Sequence, residues 1–295
     1  MKHITLLLLF ICCMASAYAQ EEIVVKQEGK QMSLGIHNAF VVDIPQAVLK
    51  DVGNAWKKYI KRGETASSVE KKDNEYSLRG TVLTNITPKP LTVYTTFKET
   101  EKGIRLTAFF MEEDSSFISG EQEKAKSTEK MMADFARAQY HVAVEAEVKT
   151  ETQKLSDQEN TLEHLIKANE KSNNTISEKE RKIDGTKKDI ETNDHAASKR
   201  REEVANQKEV VRSVTHGSEA EDTENKKLSK LEKEFKKLEK NGESLHKDID
   251  DYNSDIRQEK RDIEKRNEKI KEQEKAIDKQ KDHLKDVKEK LEKIK

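Results

Sequence analysis

The chain has 295 residues, of which 38% are charged, 33% hydrophobic and 5% aromatic, too polar a balance for all of it to enclose one compact core. Lys plus Arg number 56 against 57 for Asp plus Glu, so no surplus of positive charge marks nucleic acid as a general partner. The apolar residues must therefore be concentrated in part of the chain.

Lys2, an apolar run from Ile4 to Cys13 and the small-residue triplet Ala17-Tyr18-Ala19 follow the layout of a secretory signal peptide, expected to span residues 1–19 with cleavage before Gln20. A membrane anchor would need roughly 20 apolar residues, and this run is shorter. A lipoprotein would carry a small residue before its cysteine, whereas Ile11 precedes Cys12 and Cys12 precedes Cys13. Both cysteines are expected to leave with the signal, so the mature chain would have no thiol for a disulfide, a zinc site or a nucleophile. The expected location is the periplasm or the outside of the cell.

Residues 20–145 read as a small α/β module. Pro45, Pro88, Pro90 and Trp56 all fall here. Phe40, Val42 and Ile44 alternate as in a strand, and a weaker strand through Ile23 to Val25 is expected to pair with it. After Pro45, Val48, Leu49, Val52, Trp56 and Ile60 fall on one helical stripe. The polar stretch from Gly63 to Asn74 offers no periodicity. Tyr76 and Leu78, then Leu91 to Phe97, then Ile104 to Phe110 give three further strands, with a hairpin turn at Lys102-Gly103. A helix from about Gln122, with Met131, Phe135, Ala138 and Val142 on one stripe, should close the module over the sheet.

Beyond it the apolar residues keep helical intervals in a Lys/Glu-rich background. In a first arm, residues 146–214, positions Val148, Leu155, Leu162, Asn169, Ile176, Ile183, Ile190, Ala197, Val204 and Val211 recur as a heptad whose companion positions are mostly polar. In a second arm, residues 226–295, the interface positions Leu228, Leu231, Phe235, Leu238, Leu245, Ile249, Ile256, Ile263, Ile270, Ile277, Leu284 and Leu291 belong to an unbroken 3,4 repeat. That period, without proline, predicts a coiled coil. Residues 215–225 break the phase, with Gly217 able to end one helix and Asp222 or Thr223 able to start the next. Arms of nearly equal length predict a hairpin folded back at this break, the alternative being one continuous rod with a stutter. The fold class expected is α+β: a small two-layer α/β module followed by a long coiled coil.

Motif searches return little chemistry. Nucleophile elbows, phosphate loops, dinucleotide fingerprints and HExxH are absent from the sequence, and the histidines are scattered. Asp251-x-Asn253-x-Asp255 with Asp262 imitates a calcium loop, but Ile256 stands where that loop needs glycine. Trp56-Lys57-Lys58-Tyr59-Ile60-Lys61-Arg62 could touch anionic lipid; a helix with Trp56 and Ile60 inward and solvated lysines is the preferred reading. Asn85-Ile86-Thr87 and Asn173-Asn174-Thr175 match a glycosylation sequon, a short pattern of little weight in a bacterial export context.

Phe40-Val41-Val42-Asp43-Ile44-Pro45, Ala55-Trp56-Lys57-Lys58-Tyr59 and the later strand run resemble a group of uncharacterised exported bacterial proteins, over roughly residues 36–140. These join a small module, similar to the TATA-binding-protein or helix-grip type, to a charged helical tail. The resemblance implies the same strand and helix order and brings no assigned activity with it.

The function expected is therefore that of a non-catalytic structural or protein-interaction protein of the bacterial cell envelope, acting through its coiled coil. Its partner would be another protein or a second copy engaged through that coiled coil, without nucleic acid, membrane contact or cofactor. A periplasmic holdase-type chaperone is the alternative, and would need exposed apolar inner faces. An enzyme would have to draw on His37, Asp43 and Glu75, whose spacing assembles no site.

Overall fold

The computed structural model describes residues 22–61 and 66–294, so the expected signal peptide lies outside the described residues. The protein is α+β. Its described elements are β1 (Val25–Met32), β2 (Gly35–Pro45), α1 (Leu49–Ile60), β3 (Glu70–Lys72), β4 (Glu75–Thr81), β5 (Leu91–Thr100), β6 (Gly103–Met111), α2 (Glu123–Ser213) and α3 (Glu219–Lys293). The chain falls into two compact units, one holding residues up to Leu155 together with Lys279–Lys295, the other Ser156–Asp278.

In the first unit six strands form one sheet in the order β1-β2-β6-β5-β4-β3, every neighbouring pair antiparallel. The two elements that sequence periodicity misses or misplaces are its edges. β1 was expected through Ile23 to Val25 but starts at Val25 and runs through polar residues to Met32, and β3 lies in the stretch that showed no pattern. An edge strand has only one side to bury, and the lysines and glutamates along both edges discourage pairing with another chain.

One sheet face carries Phe40, Val42, Ile44, Leu78, Leu91, Val93, Ile104, Leu106 and Phe110, all buried against α1 and the first turns of α2. α1 contributes Val52, Trp56 and Ile60, and Trp56 donates its indole N–H to Thr95 Oγ1 at 2.9 Å, so that its one polar atom is satisfied in the core. Val48 and Leu49, expected on the same stripe, are instead 60% and 37% exposed because the helix starts at Leu49 and its buried face begins one turn later. α2 covers the sheet with Ala125, Met131, Met132, Phe135, Ala136, Tyr140 and Val144. Ala138 and Val142 of the expected stripe face outward. Choosing the row through Ala136, Tyr140 and Val144 would have predicted the observed face.

The opposite sheet face holds a smaller cluster of Met32, Ala39, Val41, Tyr94 and Phe109. The β1–β2 tip crosses this face, with Met32 on the cluster and Ser33 donating from its N–H and Oγ to the Glu75 carboxylate.

The β5–β6 turn occupies Glu101 and Lys102, and Gly103 opens β6 opposite Pro45 of β2. Its φ is +149°, and a Cβ there would overlap the Ile44 carbonyl oxygen and lie 2.7 Å from Gln46 N. Glycine is thus demanded by the end of β2 as well as by the turn.

The last turns of α3 belong to this unit. Val287 is 4% exposed within the main core, with Leu291, Ile294 and Val148 packed against it. Lys290 donates to Gln46 Oε1 at 2.6 Å and to Glu147 at 3.1 Å.

Candidate functional site

The heptad positions singled out in the sequence map onto the covered stripes of α2 and α3. Leu228, Leu231, Phe235, Leu238, Leu245, Ile249, Ile263, Ile270 and Leu291 are half-buried, and Ile256, Ile277 and Leu284 are buried. In the second unit Ile176 and Ile183 of α2 meet Ile256, Ile249, Tyr252 and Ile263 of α3. This apolar patch lies where the α2 stripe, whose companion positions are mostly polar, also carries isoleucines.

The polar companions pair across the two helices. Arg266 donates to Asn169 Oδ1 at 2.8 Å and to Ser172 Oγ, and Asn169 donates to Asn267 at 2.7 Å. Gln273 donates to the Gln158 carbonyl at 3.0 Å, and Lys179 pairs with Asp255 at 2.5 Å. Arg200 and Lys208 pair with Glu234 and Glu232 at 3.1 and 3.0 Å. Asn193, 6% exposed, accepts from Asn241 at 2.9 Å and donates to the Leu238 carbonyl at 3.0 Å. Gly242 leaves room for it, since a Cβ there would come within 3.0 Å of the Asn193 amide nitrogen. In the first unit the ladder continues with Gln280 donating to Glu151 at 2.8 Å. Lys154 first and Gln280 second hold the Glu151 carboxyl below the usual carboxylate range.

Early residues of α2 thus meet late residues of α3 throughout, an antiparallel pairing. A buried polar layer tolerates little sliding, because a shifted register would leave donors and acceptors unpaired. Cysteines replacing Asn169 and Asn267 should accordingly join within one chain through a short bis-maleimide. Products of doubled mass alone would contradict the pairing.

Only residues 214–218 separate the two helices. The expected break reached Asn225, with Asp222 or Thr223 as helix start, but α3 begins at Glu219. Ser218 Oγ accepts from the Glu221 N–H at 3.2 Å, and the Glu221 carboxylate accepts from the Gly217 N–H at 2.7 Å. This is a Ser-x-x-Glu cap, a signal present in the sequence and overlooked there. Gly217 has φ +79° but lies in the turn between the helices and does not end α2 as expected, since that helix stops at Ser213.

The Gly217 N–H, and after it the His216 ring, keep the Glu221 carboxyl below its ordinary range. A lowered folded value stabilises above the unfolded one, and that support disappears as pH falls through the folded value. Amide exchange at Gly217, corrected for intrinsic chemistry, should therefore quicken as pH falls below the ordinary glutamate range. Glu221→Gln should remove this pH dependence, and an unchanged profile would show that the carboxylate is not the cap.

The other candidates do not converge. His37 stacks on Phe117 at 4.0 Å, Asp43 takes a two-pronged ion pair from Arg105 at 2.8 and 2.9 Å, and Glu75 is bound by Ser33. Residues 251–262 are helical, with Ile256 buried in the stripe. Thr87 of the first sequon is 4% exposed. Among the described residues no cluster of His, Cys, Asp or Glu is placed to hold a metal, and no helix is long and apolar enough to cross a membrane. No family model, curated protein or solved structure matches the chain.

Proposed function

We propose that the chain is a non-catalytic structural or protein-interaction protein of the bacterial cell envelope, working through α2 and α3 as an antiparallel coiled-coil hairpin. The supporting observation is the run of polar cross-pairs between the two helices, from Gln207 with Glu224 near the turn to Gln280 with Glu151. Such pairs fix one alignment at some cost in stability, the expected compromise where a defined presenting surface matters more than a tight core. Because α2 takes up the apolar stripe of α3, the arms offer a client little continuous apolar surface, which ranks this reading above a holdase. A partner would meet the outer faces, where Ile166 and Val210 are each 42% exposed among charged neighbours. The signal-like N-terminus supports export, and the resemblance to exported proteins with charged helical tails supports the same placing.

Photo-crosslinking residues introduced singly at Ile166 and Val210 test the reading in intact cells. The expected result is a discrete adduct with one envelope protein or a second copy, in a fraction released by osmotic shock or found in the medium. Retention in the cytoplasm would overturn the placing, and a broad smear of clients would favour the chaperone.

A further inference from the structure

We propose that Lys57 and Lys71, gathered over the ring of Tyr76, form a binding site for a phosphate-type oxyanion carried by a soluble ester or by a lipid headgroup. The Lys57 ammonium lies 4.2 Å from the ring centroid and that of Lys71 5.5 Å, so two like charges lie against one aromatic ring. Neither has a carboxylate within ion-pair distance among the described residues. Strand alternation places the nearby acids elsewhere: Tyr76 and Leu78 face the helices and Lys71 pairs with Tyr76, whereas Glu70 and Glu75 occupy the alternate positions. Glu75 is in addition occupied by Ser33.

The scaffold keeps these groups together. Lys57 follows Trp56, which is 1% exposed and tied to Thr95, and Tyr76 is held between β3 and β5 with its ring against Phe97 at 5.8 Å. The negative ring face offsets part of the repulsion between the ammonium groups. A multivalent oxyanion would remove the rest and accept hydrogen bonds from both, each ammonium having three donors. The inward turn of Trp56 and Ile60 takes the apolar side chains of this run away from any bilayer. What stays accessible is charge, suited to a phosphate group rather than to acyl chains.

The test titrates the full chain with pyrophosphate in one arm. In the other it is co-sedimented with vesicles of phosphatidylglycerol or, as the neutral comparison, phosphatidylcholine. Binding in the first arm identifies a soluble ester, and binding only to phosphatidylglycerol identifies a headgroup; either supports the site. The pair Lys57→Ala with Lys71→Ala should weaken binding at least about tenfold, the loss expected for one charge-assisted hydrogen bond. Lys58→Ala with Lys72→Ala, which removes equal charge away from the ring, should leave affinity within about twofold, as expected if only contacting charges matter. Near-ultraviolet circular dichroism confirms that each variant is folded. Binding in neither arm, or equal losses in the two double variants, would overturn the proposal.

Discussion

Val287→Asp should abolish the cooperative unfolding transition of the sheet-bearing unit, although residue 287 lies far beyond the sheet in sequence. Val287 is 4% exposed in a core that also contains Trp56, Phe110 and Met132. An unpaired carboxylate there costs on the order of 3–5 kcal/mol, a large part of the 5–15 kcal/mol that holds an ordinary domain together. Trp56 is the chain's only tryptophan, so its fluorescence reports on this unit. Ile256→Asp, in the second unit's apolar patch, provides the comparison: helical circular dichroism should fall while the Trp56 transition holds. If Val287→Asp left the tryptophan transition at the wild-type temperature, the end of α3 would not be part of the core.

Gly103→Ala should be nearly as damaging, despite adding a single methyl group at a half-buried site. The methyl would run into the backbone of Ile44 to Gln46, which is anchored by a 2.7 Å hydrogen bond from Gln46 N to the Lys102 carbonyl. Moving that backbone would disturb the pairing of β2 with β6, and φ +149° is strained for alanine. A loss of about 3 kcal/mol or more is expected, beyond the range of most point substitutions. Chemical denaturation followed at Trp56 measures it; a loss under about 1 kcal/mol would mean that the junction yields freely.

The sequence was most legible where one side chain in two or in three and a half faces a core. β2, β4, β5 and β6 stand where alternation placed them, and the α3 stripe follows the 3,4 repeat residue by residue. Legibility failed where burial is one-sided or shared with distant chain. β1 and β3 bury little apolar surface of their own and left no period to read. The seating of Val287, Leu291 and Ile294 in the sheet unit was hidden because they continue the same repeat that pairs the helices. The companion positions of α2, taken one helix at a time, are merely a mostly polar row. Their complementarity to Arg266, Gln273 and Gln280 emerges only once α3 is laid against them. The oxyanion pair was half visible as a basic run on α1, but Lys71 sits in a stretch that gave no structural signal.

The polar cross-pairs also limit how such a chain can change over generations. An insertion of one or two residues in either long helix would put every later donor opposite the wrong acceptor, and a seven-residue insertion in one helix alone would displace its partners by two turns. Only matched additions or deletions, made in both helices at the same rung, would preserve the ladder. Descendants of a common ancestor should therefore differ in arm length by paired heptads while keeping the Ser-x-x-Glu cap and the valine at the foot. Length differences that fall in one helix alone would indicate that the rungs do not constrain one another.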